Sequence, residues 1–547
     1  MKTYSIFKKL QLFLLFAVIA VAGCKKSFFD GTTQSNYTVE EVYATATGVQ
    51  TATAALYGQP WFFFNCQFSM GVGDVCSGNS TGDADADMLQ FQNVSFTTGN
   101  QYLYKGWASL YQVIGQANAV MKNISLYSSG VDTSVLNVAL AEARFHRAIA
   151  YFYLVRLYGE VPIIPETLDI ETDYLQPKHI VKDIYKFIIT DLEFAETYLP
   201  NTQTDAGRVS KGAALALLAK VYLTRAANNA DASITPATDY AAAAEEAWAV
   251  ISNKSTYGYE LLSDYADLFY TKNNNNSESI FALQWVASNA SGAYGTGNVT
   301  QSYCAAYNQG LTGGTDGWGS FRPTLDLQTE FQEEGIVSNV YTDLRRKPTY
   351  MVNPVGGSIS DTYSELLQAS GGYTYPGYIS LTGGNAKKYV VGTYADNAST
   401  GGVYSMSTGI NTYMIRYADV LLTYAEAILA GGTSTSDANA LAAFNEVRNR
   451  AGLASETSIS FADILHERRL EFAFEGMYWY DVLRMPQADA ITWLSQRERG
   501  RYSGYGGGSV VSNKIIFDAS KLLFSIPQSE IDQNPNLAAD VPAVSYY

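Results

Sequence analysis

Apolar residues that recur at steps of three and four constrain this chain more than any other feature of it. In AEARFHRAIAYFYLVRLYG, the residues Ala141, Phe145, Ala148, Phe152 and Val155 form one such series. An α-helix brings those positions to one face, whereas a strand would divide them between two. Gly159 and Pro162 follow and end the helix, since proline cannot donate the next backbone hydrogen bond. The same period runs through VSKGAALALLAKVYLTRAA, where Ser210 stands at the expected N-cap. In RYADVLLTYAEAILAGG it places Tyr417, Leu421, Tyr424 and Ile428 on one stripe and predicts a stop at Gly431. DANALAAFNEVRNRAG and FADILHERRLEFAFEGMYWYDVLR continue the pattern.

These helices come in pairs joined by short polar or glycine-containing links, and their faces combine alanine with aromatic residues. Small side chains let neighbouring helices approach closely, as in tetratricopeptide-like repeats, although no clean 34-residue consensus is present. The expected fold is therefore mainly α, built of tetratricopeptide-like helical repeats. Residues 24–547 are expected to form one body, with N-terminal repeats over about 40–260 and C-terminal helices and a tail over 411–547.

Between them, over about 261–410, the helical period disappears into Gly, Asn, Ser, Thr and Tyr, as in GLTGGTDGWGS and SGGYTYPGY. Disordered linkers lack aromatics, and this stretch is full of them, so it is expected to be a folded, loop-rich ligand face with short strands. The chain holds 41 Tyr against 25 Phe and 7 Trp, a weighting toward rings with an apolar body and a polar tip. Such rings suit half-wet surfaces.

At the N-terminus an apolar run from Leu12 to Ala22 follows Lys2, Lys8 and Lys9, and is too short to span a bilayer, which takes about 20 residues. Residues 1–23 read as a signal peptide. The sequence VAGC at 21–24 resembles the lipobox of bacterial lipoproteins, which makes Cys24 the expected site of acyl attachment and a tether to a membrane.

The formal charge of −16 argues against nucleic acid as a partner. Cys66, Cys76 and Cys304 are an odd set, and a Cys66–Cys76 bridge and two separate buried thiols both remain open. His146, His179 and His466 lie far from one another and from the cysteines, so no metal site is expected.

The motifs named above, with WASLYQVIGQANAVM, SESIFALQW, DLRR at 343–346 and the late IPQSEIDQNPNL, occur in an order that resembles the SusD/RagB family of outer-membrane nutrient-binding lipoproteins. The resemblance runs from Cys24 nearly to the C-terminus. It implies a helical body that captures oligosaccharides, or peptides in RagB-like members, and passes them to a partner SusC-like TonB-dependent transporter. It further implies an outer-membrane, lipid-anchored, surface-exposed protein with no catalytic residue and no cofactor. An all-α glycosidase or lyase is the remaining class.

Three stretches attract attention as sites. ERRLEFAFE places Glu467, Glu471 and Glu475 on one helix face with Arg468 three residues before Glu471, which is expected to be an ion-pair network rather than acid–base machinery. GDADADM offers Asp83, Asp85 and Asp87 at calcium-loop spacing, but Met88 and Val94 stand where such a loop needs Gly and Glu, so a solvated acidic loop is expected. Aromatic residues in QPWFFFNCQF and SYCAAYNQGLTGGTDGWGSF fit stacking on the C–H face of a sugar. Four adjacent aromatics cannot all face inward from a strand. With the family's placement of such rings in loops, the expected ligand contacts are Trp318 and Tyr307 first, then Trp61, Phe63 and Tyr303.

Overall fold

The computed structural model describes residues 37–82, 85–167, 174–287, 295–312, 317–337, 340–352, 361–376, 383–404, 406–502 and 510–547. Cys24 and the signal-like segment lie outside them, as does Asp83. The helices used below are α1 (Ala86–Asn93), α2 (Gln101–Tyr127), α3 (Thr133–Tyr158), α4 (Val181–Tyr198), α5 (Lys211–Ala227), α6 (Pro236–Ser252), α7 (Leu325–Glu333), α8 (Tyr417–Leu429), α9 (Ala438–Arg450) and α10 (Phe461–Phe472).

Helices α2, α3, α4, α5 and α6 each pack on the next, and α6 then packs on α8, which packs on α9. The array therefore passes directly from residue 252 to residue 417. The region between is carried as an insertion between two consecutive layers. Its base is closed by the strand Ser279–Leu283, which pairs antiparallel with Thr412–Arg416 in a bulged register running from Thr412 opposite Leu283 to Arg416 opposite Ser279. Among the described residues of 261–410 the longest element is the nine-residue α7, and the strands are short two-stranded pairs.

The stripe read from the sequence is the core side of α3: Ala141, Phe145, Ala148, Phe152 and Val155 are all buried. That helix is buried on its other faces too from Ala139 onward, because α2 and α4 flank it. Gly159 ends it at φ 70°, and Ala430 and Gly431 end α8 in the left-handed region. Ser210 does stand at the N-cap of α5, but its side chain makes no cap bond and lies 2.7 Å from the Tyr259 hydroxyl instead.

A buried ionic cluster fastens the insertion to the C-terminal helices. Glu471 contacts Arg345 (3.2 Å), Arg416 (2.9 Å) and Arg450 (2.6 Å), while Arg416 also pairs with Glu278 and, at 2.9 Å, with Glu475. Arg345 joins Glu467 at 2.5 Å and Asp343 at 2.7 Å, and Lys388 joins Glu475 at 2.8 Å. Burial alone would raise the Glu471 pKa, but Arg450, Arg416 and Arg345 outweigh it and hold the carboxyl well below the usual range. The ion-pair expectation for ERRLEFAFE needs one correction. Arg468 does not pair with Glu471; it reaches Asp419 at 2.8 Å and Asp481 at 2.9 Å, so the network joins separate elements instead of running along one helix.

Candidate ligand-binding face

The segment QPWFFFNCQF is helical, with a short 3₁₀ turn over Gln59–Trp61 and wide π-type turns over Phe64–Phe68. Gly106 of α2 lets it approach, because a Cβ there would stand 2.5 Å from the Phe68 ring. Successive residues of a helix point about 100° apart, so four adjacent aromatics spread around the axis. Trp61, Phe62 and Phe64 enter the core, and Phe63 alone points outward, 42% exposed.

Trp61 is thus a correction to the expected ligand set. It is fully buried, its indole N–H donates to the Leu56 carbonyl at 3.0 Å, and its ring meets Phe64 at 5.6 Å. It is a packing residue with no surface to offer a ligand.

Phe63 has company on the outside. Lys105 of α2 places its ammonium 5.7 Å from the Phe63 ring centre and 5.5 Å from that of Tyr102. Tyr102 is held by Asp85, whose carboxylate accepts the phenol proton at 2.5 Å and also caps α1 by accepting from the backbone of Asp87 and Met88. Asp85 of the acidic stretch therefore acts as a cap and an anchor. Lys105 escapes sequence reasoning, since it sits in an ordinary helical stripe.

Three residues after Phe63, the Cys66 sulfur lies 3.9 Å from the Tyr303 hydroxyl. Tyr303 belongs to the short helix Thr300–Cys304, and its ring meets Trp318 edge-on at 4.7 Å and 65°. The Trp318 segment is strapped alongside: Trp318 N–H donates to Ser302 O and Ser320 N–H to Tyr303 O, both at 2.7 Å. Between them Gly319 takes φ 58°, where a Cβ would meet the Asn385 amide at 2.9 Å. Tyr307 follows the helix and is 61% exposed; the next residue, Asn308, donates to Gly317 O at 3.4 Å. Tyr303 and Trp318 are thereby in ring contact with Tyr307 following in sequence, and the Cys66–Tyr303 contact brings the helical segment that carries Phe63 beside them, Phe63 itself touching Phe62 and Lys105.

Cys66, Cys76 and Cys304 are all free thiols, which answers the open question about a Cys66–Cys76 bridge. Burial pushes the Cys66 thiol up to about 11, away from the reactive thiolate. The carboxylates of Glu467, Glu471 and Glu475 are all engaged by arginine or lysine, as described above, which leaves them no free role in proton transfer. Among the described residues no group of three or more His, Cys, Asp or Glu could hold a metal ion, and no helix is long and apolar enough to cross a membrane.

A helical-repeat array with a loop-rich insertion, and with half-buried or exposed rings contributed by both, is a build shared with known proteins. The SusD family model matches residues 277–542, and a model described as starch-binding, associating with the outer membrane, matches 71–223. A SusD-like protein of Bacteroides ovatus is 34% identical over 492 residues, covering 89% of this chain and 83% of that one. A crystal structure with a xylogluco-oligosaccharide is similar at 32% identity and a TM-score of 0.80, covering 91% of this chain and 99% of that chain. A laminarin-binding SusD-like protein is 27% identical with a TM-score of 0.68, covering 89% and 97%. The chain belongs to the SusD/RagB family.

Proposed function

We propose that this protein is a non-enzymatic, lipid-anchored outer-membrane binding protein that captures oligosaccharides and delivers them to a partner SusC-like TonB-dependent transporter. The observation that carries the reading is the set of rings Phe63, Tyr303, Trp318 and Tyr307, half-buried or exposed, from two segments joined by the Cys66–Tyr303 contact. A pyranose presents an apolar C–H face to such rings, while its hydroxyls take hydrogen bonds from neighbours such as Lys105 and Asn308. A few aromatic anchors then supply most of the affinity. The relatives solved with a xylogluco-oligosaccharide or named for laminarin binding support a glycan as ligand, and VAGC with Cys24 supports the tether.

Calorimetric titration with a panel that includes xyloglucan oligosaccharides, laminarin and starch fragments tests the reading. Binding to at least one glycan without release of shorter products is expected. Binding of peptides but of no glycan would assign the RagB-like alternative, and sustained hydrolysis would assign an enzyme.

A further inference from the structure

A cavity lined by none of the residues of the aromatic face lies where the C-terminal end of α3 meets α4, α5 and residues 480–490 and 522–523. It holds about 490 Å³, within the range of small-molecule sites. Its walls are largely aliphatic, with Val155, Val181, Leu483, Met485, Leu522 and Leu523 among them. Leu523 stands at the mouth, 51% exposed, and is held there because Phe524 N–H donates to the Leu157 carbonyl at 2.8 Å.

The inner end is charged. Arg156, Thr224 and Tyr480 line both this cavity and a chamber of about 10 Å³ beyond it, close to the size of one water. Around that chamber Lys220 and Arg468 share Asp419, Arg468 and Arg484 share Asp481, and Arg484 grips Glu426. Three carboxylates thus answer three of the four cations. Arg156 is the fourth. Its Nε donates to Phe152 O at 2.8 Å and its guanidinium lies over the rings of Phe152, Tyr153 and Tyr480, at 3.8, 4.7 and 4.2 Å, but among the described residues it forms no ion pair. Beside it, Tyr480 Oη, Arg468 Nη1 and Asp481 Oδ2 are buried with no hydrogen-bond partner. Arg156 and Tyr480 belong to both spaces, so they face the apolar cavity, while Arg468 and Asp481 line only the inner chamber behind them.

We infer that this funnel is a second ligand site, for an aliphatic monocarboxylate whose head sits on Arg156 and whose chain lies against Leu483, Met485, Leu522 and Leu523. The planar guanidinium fork matches a carboxylate, and one negative charge balances the one uncompensated cation. A dianion would add repulsion from Asp481. The site shares no residue with the aromatic face and does not depend on that face binding glycans.

The probe is sodium octanoate, titrated calorimetrically into the purified protein, with 1-octanol as the neutral chain and acetate as the head alone. Octanoate is expected to bind one to one, at least about tenfold more tightly than either control. Arg156→Gln is expected to remove that preference and Arg156→Lys to retain part of it. Leu523→Trp, at the exposed mouth, is expected to block octanoate while keeping every group around the inner chamber, and so tests the site even if Arg156 variants fold poorly. Glycan binding stays unchanged in all three. Absence of octanoate binding, or equal binding of octanoate and octanol in wild type and Arg156→Gln, overturns the proposal.

Discussion

The Cys66 sulfur stands 3.9 Å from the Tyr303 hydroxyl, a contact that joins two aromatic-bearing segments more than two hundred residues apart. Phe63 comes from the start of the chain's helical body, Tyr303 and Trp318 from the insertion. The relative position of these two parts sets the spacing of the rings, so the proposed ligand capture would depend on how the insertion is fastened.

Substitutions on the face should therefore lower affinity and leave stability intact. Trp318→Ala is expected to weaken glycan binding by about tenfold or more, and Tyr307→Ala or Phe63→Ala by a smaller factor. Calorimetry for affinity and thermal unfolding for stability check this together. A fall in melting temperature that tracks the loss of binding would count against it.

Trp61 should behave in the opposite way. Its removal leaves a cavity in the core, and Trp61→Ala is expected to cost roughly 3–5 kcal/mol of stability, against less than about 1 kcal/mol for the neighbouring Phe63→Ala. Urea denaturation of the two variants compares them directly.

These neighbours also show what was legible in the sequence and what was not. The stripe Ala141, Phe145, Ala148, Phe152 and Val155 could be read because a helix fixes the direction of each side chain from spacing alone. That one of the four aromatics at 61–64 must turn outward was legible as well. Which one depends on the segment being helical, and the strand argument gave no choice between Trp61 and Phe63. Long-range pairing was the least legible. Glu471 finds Arg345, Arg416 and Arg450 through the folding of the insertion, and nothing in ERRLEFAFE distinguishes those partners from Arg468. Lys105 was invisible for the same reason, since its role comes from Phe63, 42 positions away in the sequence.

The buried ionic cluster should be costly to break from one side. Glu471→Gln leaves Arg345, Arg416 and Arg450 short of a counter-charge, and a loss of about 3–5 kcal/mol is expected. Because that cluster fastens the insertion, glycan affinity should fall with it. Chemical denaturation and titration on the same preparation measure both.

His466 gives the fold a pH dependence of defined sign. Its ring nitrogens lie 2.6 Å from Glu330 and 2.7 Å from Glu334, linking α10 to α7 and the residue after it. Burial disfavours the charged ring, but the two carboxylates outweigh it and raise the pKa to about 9. The folded value lies above the unfolded one, so the stabilisation is complete below about pH 6.5 and is lost as pH rises through about 9. It amounts to at most roughly 3 kcal/mol. His466→Gln should flatten the fall in unfolding free energy between pH 6.5 and 9, and an unchanged slope would contradict the assignment.

The most direct test of the central claim is hydroxyl-radical footprinting of the protein with and without a saturating glycan from the binding panel. Protection concentrated at Phe63, Tyr303, Tyr307 and Trp318 is the expected result. A glycan that binds while leaving those four rings as reactive as before would place the site elsewhere and contradict the account.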